Sequence, residues 1–243
     1  MMAYGLSATN SIGDVVISSD HKVLVFSERG QFRIQSRYTD RPGYGAVNFA
    51  MPILTQEPPQ IFLRIITPSH PSLSLYTTIL GVPGKWTGFK VTSGAMGGKY
   101  LQNHLMEYVS CKYADQRSSS AYGMEIYDEN ANVDFSSSDR VVRYSRFTKS
   151  WSYSQSVNYF DSWDSGLIMD VDDYLSVSSM DRGMSWFVNH AQYASLHMMT
   201  GNERKVRVSV QRSTLGDSIN IDNLGVTYFS IPICKFPIDR YYN

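Results

Sequence analysis

"AYGMEIYDENANVDFSSSDRVVRY", residues 121–144, lies in the middle of a 243-residue chain and repeats the chain's own beginning. Laid without a gap on "AYGLSATNSIGDVVISSDHKVLVF", residues 3–26, it matches Ala3, Tyr4 and Gly5 with Ala121, Tyr122 and Gly123. Leu6 then meets Met124, Asn10 meets Asp128, Val15 meets Val133 and Phe26 meets Tyr144, with polar and apolar positions in phase. The ends of the halves correspond as well: Cys-Lys-aromatic at Cys111 in "EYVSCKYADQ" returns at Cys234 in "FSIPICKFPID". Between them "GKWTGFKV" (84–91) and "GNERKVRV" (201–208) fall in the same order. The three matches lie 118, 123 and 117 residues apart, and self-similarity at a near-constant spacing is the mark of a repeated structural unit. The chain therefore reads as a tandem duplication, with domains at 1–117 and 118–243 joined near "DQRSSSA".

Period-2 alternation and β-branched or aromatic runs dominate both halves: "DVVIS", "HKVLVF", "QIFLRII", "GFKVTS", "RKVRVSVQR" and "GVTYFSIPICKF". Val206, Val208 and Val210 take one side of such a run while Lys205, Arg207 and Ser209 take the other, the pattern of a half-buried strand. Turn chemistry separates the runs at "NSIGD", "SERGQ", "DRPGYG", "GVPGK" and "STLGDS". Residues 99–109 and 184–199 fit helical or strand spacing, and the first is assigned to strand because its counterpart in the second half is strand-like. The predicted fold is mainly β, two tandem antiparallel β-sandwich or barrel domains of similar size.

Composition narrows the function. Apolar residues make up 42% and aromatics 13%, enough for globular burial, and no run approaches the roughly 18 apolar residues of a membrane span. The 22 basic and 22 acidic residues cancel, which gives no field for nucleic acid, so neither nucleic-acid binding nor membrane insertion is expected. Residues 1–118 hold 11 basic and 7 acidic residues and residues 119–243 hold 11 and 15, a +4/−4 asymmetry suited to head-to-tail packing between copies. The opening "MMAYGLSATNSIGD" lacks the basic start and apolar core of a secretory signal, so synthesis in a cytoplasm is expected. There Cys111 and Cys234 are expected as reduced thiols, each filling its own domain's core.

Two stretches carry candidate sites. Asp128, Asn130, Asn132 and Asp134 stand at positions 1, 3, 5 and 7 of a calcium-loop spacing, weak metal candidates because position 6 is Val133 instead of Gly and position 12 is Asp139 instead of Glu. The copy at Asn10, Ile12, Asp14 and Val16 keeps the turn and loses the ligands, so a hairpin turn is the expected role. The second stretch, 151–177, sets Trp151, Tyr153, Tyr159, Phe160 and Trp163 beside Asp161, Asp164, Asp170, Asp172 and Asp173. Aromatics among Ser, Asn and Asp suit contact with a protein partner or a sugar, since rings supply flat area at low entropy cost. A carboxylate pair there would also suit a carbohydrate-cleaving enzyme. The histidines lack metal-ligand spacing, and no P-loop, nucleophile elbow or CxxC occurs, so no catalytic residue and no cofactor is assigned.

The doubled opening resembles the N-termini of small bacteriophage structural, tail-associated proteins: Tyr-Gly-apolar, a short strand, an Asn or Asp turn with Gly, then a second strand. Tyr4, Gly5, Leu6, Asn10, Gly13, Val15 and Ser18–Asp20 carry it first. Tyr122, Gly123, Met124, Asp128, Val133 and Ser136–Ser138 carry it again, with Ala131 where Gly is expected. The resemblance implies a non-enzymatic virion component, docking onto other virion structural proteins at a tail tip, baseplate or fibre attachment and homo-oligomeric within the particle. A receptor- or glycan-binding module that contacts a host surface glycan is the alternative.

Overall fold

A computed structural model describes residues 7–9, 15–18, 22–67, 72–95, 100–117, 122–148, 150–157, 160–178, 194–199, 205–211 and 230–243. Every regular element among them is a strand. The first half supplies β1 (Ser7–Thr9), β2 (Val15–Ser18), β3 (Leu24–Gln35), β4 (Gly43–Ile53), β5 (Gln60–Thr67), β6 (Ser72–Val82), β7 (Lys85–Ala95) and β8 (Asn103–Tyr113). The second supplies β9 (Glu125–Tyr127), β10 (Val133–Ser136), β11 (Tyr144–Phe147), β12 (Ser152–Val157), β13 (Phe160–Ile168), β14 (Asp173–Ser176), β15 (Ala194–Met199), β16 (Lys205–Gln211) and β17 (Pro232–Lys235). Two-residue turn chemistry is visible at β6–β7, where Val82 pairs with Lys85 and Gly84 takes φ +81° behind Pro83, the demand of a type II turn. The stretch "DRPGYG" is shorter as a turn than its sequence suggests: Gly43 and Gly45 already belong to β4, facing inward where a Cβ would strike Ser93 Oγ at 2.7 Å or Arg33 O at 2.7 Å.

Thirteen strands form one antiparallel sheet, in the order β11-β17-β14-β5-β8-β3-β4-β7-β6-β15-β16-β13-β12. Laid flat, twelve strand spacings would part the two edges by nearly 60 Å. The edges are β11 and β12, and Phe147 and Ser152 are separated by only five residue steps, at most about 18 Å of chain. The sheet therefore curls until its ends approach, and the curl closes around a core. Ile61, Leu63 and Leu175 on one wall face Leu73, Leu75, Phe89, Val206 and Val208 on the other, all at 1% exposure or less. Full burial of each such side chain contributes roughly 1.5–3 kcal/mol. A second cluster lies on the other side of the β8-β5-β14-β17 wall: Phe26, Phe62, Val109, Cys111, Tyr174, Cys234, Phe236 and Tyr241. Both clusters draw on residues from each side of position 117. Cys111 and Cys234 are free and buried as expected, but they share this one cluster instead of filling separate cores.

The ladders of the two halves keep one register. In β1–β2 Ser7 faces Ser18, Ala8 faces Ile17 and Thr9 faces Val15; in β9–β10 Glu125 faces Ser136, Ile126 faces Phe135 and Tyr127 faces Val133. Each residue of the second set is its counterpart plus 118, and the register shift falls at the same place. The correspondence continues in β3–β8, where Phe26, Glu28 and Arg29 face Cys111, Ser110 and Val109 across a bulge. In β11–β17 Tyr144, Arg146 and Phe147 face Cys234, Ile233 and Pro232 across a bulge in the same position. Ile61 faces Ser110 as Leu175 faces Ile233. Where the halves meet, β5 and β14 pair antiparallel with Phe62 opposite Ser176, so the order β3-β8-β5 is mirrored by β14-β17-β11.

Candidate functional site

The loop that opened the metal question is a hairpin turn closed by its own first residue. Asp128 Oδ1 accepts from the Asn130 and Asn132 backbone N–H groups at 2.8 Å each, and Oδ2 accepts from Asn132 Nδ2 at 2.8 Å. Those bonds hold the Asp128 carboxyl below its ordinary range. Ala131 takes the left-handed conformation, φ 62°, at the place where the sequence pattern expects Gly. Asn130 donates its backbone N–H to Asp128, and Asp134 sits on β10 at 3% exposure, its carboxyl pushed up by burial.

The aromatic stretch divides by side. Trp151 and Trp163 are 8% and 3% exposed and belong to the main core cluster. Tyr153 stands 56% exposed on β12, its ring 6.0 Å from Trp163 in an edge-on contact. Tyr159 lies outside the described residues, as does the side chain of Phe160, which opens β13.

The side chain of Asp161 lies outside the described residues, and the other carboxylates of this stretch are paired with cations. Asp164 accepts from Arg207 at 2.6 and 3.0 Å; burial pushes its carboxyl up, and the guanidinium outweighs that to leave it low. Asp170, Asp172 and Asp173 bring ligand oxygens within 4.8 Å of one another, but the Lys235 ammonium already stands among them, 3.0, 2.7 and 3.9 Å away. Arg146 also pairs with Asp173. Lys235 holds the Asp172 carboxyl low. A glycosidase acid must keep its proton near neutral pH, and Asp164 and Asp172 are shifted the opposite way.

A buried ionic knot fixes the end of the chain. Glu107, at 10% side-chain exposure, receives both Arg29 and Arg64. Arg29 Nη1 donates to the carbonyls of Phe236 at 3.1 Å and Tyr241 at 2.9 Å, and its backbone N–H donates to Asn243 Oδ1 at 2.7 Å. Large apolar side chains are left in solvent beyond the sheet's rim. Met51 and Leu54 are 76% and 64% exposed, and Val82 is 60% exposed at the end of β6, beside the turn whose Gly84 N–H donates to Thr55 O at 2.9 Å. Sequence reasoning missed this rim because its residues come from two strand ends about thirty positions apart. The chain finds no match among protein-family models, curated proteins or solved structures.

Proposed function

We propose that this chain is a non-enzymatic structural component of a bacteriophage virion, built by internal duplication and docking onto neighbouring virion proteins at a tail tip, baseplate or fibre attachment. The doubled hairpin carries the reading. The Tyr-Gly-strand-turn-strand unit that resembles tail-associated proteins forms the same ladder twice, Ser7–Ser18 and Glu125–Ser136, at an offset of 118. Matching bulges after Phe26 and Tyr144 support duplication beyond the hairpins. Docking through surface complementarity is supported by the exposed Met51, Leu54 and Val82 and by Tyr153 on the β12 edge. Lasting contacts of this kind bury about 800 Å² per partner, more than those few side chains supply, so the interface extends over the surrounding polar rim. Mass spectrometry of purified particles tests the reading. The expected result is the chain at a fixed ratio to the major virion proteins; its presence in infected-cell lysate and absence from particles would contradict it.

A further inference from the structure

A groove of about 840 Å³ opens at the end of the sheet where β3 turns into β4 and β8 begins. That volume lies within the range of small-ligand sites. Its walls carry Arg37 and Arg41, both exposed, with Tyr38 65% and Tyr44 50% exposed. Among the described residues, no carboxylate or carbonyl hydrogen-bonds to either guanidinium. Outside the lining, Lys90 Nζ stands 5.0 Å from the centre of the Tyr44 ring. The turn between the arginines holds one acid, Asp40.

The floor is prearranged. Ser36 N–H donates to Gln102 O at 3.0 Å, and Gln102 N–H donates back to Ser36 Oγ at 2.9 Å. Gln102 is 3% exposed and its Oε1 is engaged by His104 and Ser93. Gly43 is packed so closely under this floor that a Cβ would lie 2.8 Å from Gln102 Cβ. The arginines therefore project from a braced frame, and their positions are not required to build it.

The geometry points to a binding site for an anionic saccharide, a sugar ring that bears a carboxylate or a phosphate. Guanidinium groups take such oxygens in charge-assisted, often bidentate hydrogen bonds. The Tyr38 and Tyr44 rings offer apolar faces to the C–H side of a sugar ring, and the amide of Gln35 can meet its hydroxyls. An extended acidic peptide fits less well. It would add to a free strand edge, and here β4 is already paired with β7 from Gly43 onward and with β3 at Tyr44.

This inference does not depend on the virion reading, which particle composition tests separately. Calorimetric titration of the full chain with trigalacturonic acid, glucose 6-phosphate, maltotriose and tetraglutamate decides it. Saturable binding of at least one of the two anionic sugars is expected, with maltotriose about tenfold weaker or more. Which of the two binds separates carboxylate from phosphate. Arg37→Ala with Arg41→Ala should weaken that binding at least about tenfold and Tyr38→Ala severalfold, while amide shifts at Gln35, Tyr44 and Leu101 map the site on the unaltered chain. No saturable binding of either anionic sugar would overturn the inference, as would binding that survives loss of both arginines, shifts confined elsewhere, or tetraglutamate binding as tightly as the sugars.

Discussion

Two pairs of arginines in this molecule stand in opposite surroundings. Arg29 and Arg64 converge on Glu107 in the wall of the sheet, and Arg29 also ties down the last eight residues through Phe236, Tyr241 and Asn243. Arg37 and Arg41 project from a surface turn beside an open groove, with no counter-charge among the described residues bonded to them. The first pair is consumed by the fold, since both guanidinium groups are bonded to the one Glu107 carboxylate and are largely sheltered. The second is available to a ligand, because its energy of interaction is still unspent. The contrast makes a general point about this chain: residue type does not separate structural from functional arginines, but the presence of a partner does.

The largest effect should come from breaking the first pair's partner. Glu107→Ala would leave two guanidinium groups partly buried without their carboxylate, a defect that costs about 3–5 kcal/mol in comparable sites. Urea denaturation should show that loss, together with faster protease removal of the C-terminal residues; a change under 1 kcal/mol would break the comparison.

Acid sharpens it. Burial pushes the Glu107 carboxyl up, and the hydrogen bonds from Arg29 and Arg64 outweigh that, leaving it below its ordinary value. A carboxyl whose folded pKa is depressed stabilises fully above its unfolded value of about 4.3 and loses that contribution as pH falls through the folded value. Stability should decline as the pH is lowered below about 4.3, and Glu107→Gln should flatten that part of the curve. Denaturation midpoints measured across this range would show it.

A smaller change, of opposite sign, is expected in the second hairpin. Ala131 holds φ 62° where glycine would sit without a Cβ clash, so Ala131→Gly should stabilise by up to about 1 kcal/mol, an outcome readable as a higher melting temperature. The smallest effect belongs to the second arginine pair. Removing Arg37 and Arg41 together should move stability by no more than about 0.5 kcal/mol, as for ordinary surface positions, and a larger loss would mean that they support the fold after all.

The sequence made individual strands legible and left their assembly hidden. "QIFLRII" became β5 as an apolar β-branched and aromatic run buried on both faces at Ile61, Phe62 and Leu63, and "RKVRVSVQ" became β16 because period-2 alternation is a local property, with Val206 and Val208 buried as the alternation requires. The likeness of residues 3–26 to residues 121–144 was also readable, and the two hairpins keep its offset. The pairings of β5 with β14 and β6 with β15 were not readable, since partner and register across a hundred residues depend on the whole curled sheet. Trp151 and Trp163 illustrate the cost: their polar neighbours suggested an exposed recognition face, while the curl turns both rings into the core. The groove was hidden for the same reason, as Arg37 and Leu101 become neighbours only once β3 and β8 pair along their length.

The central structural claim is that both halves of the chain share one sheet, joined where Phe62 lies opposite Ser176. Cross-strand nuclear Overhauser contacts in the deuterated full-length protein measure that join directly. Contacts linking Phe62 with Ser176 and Leu63 with Leu175 are expected; a spectrum in which residues 1–117 and 118–243 each show strand contacts internally and none across β5–β14 would contradict it.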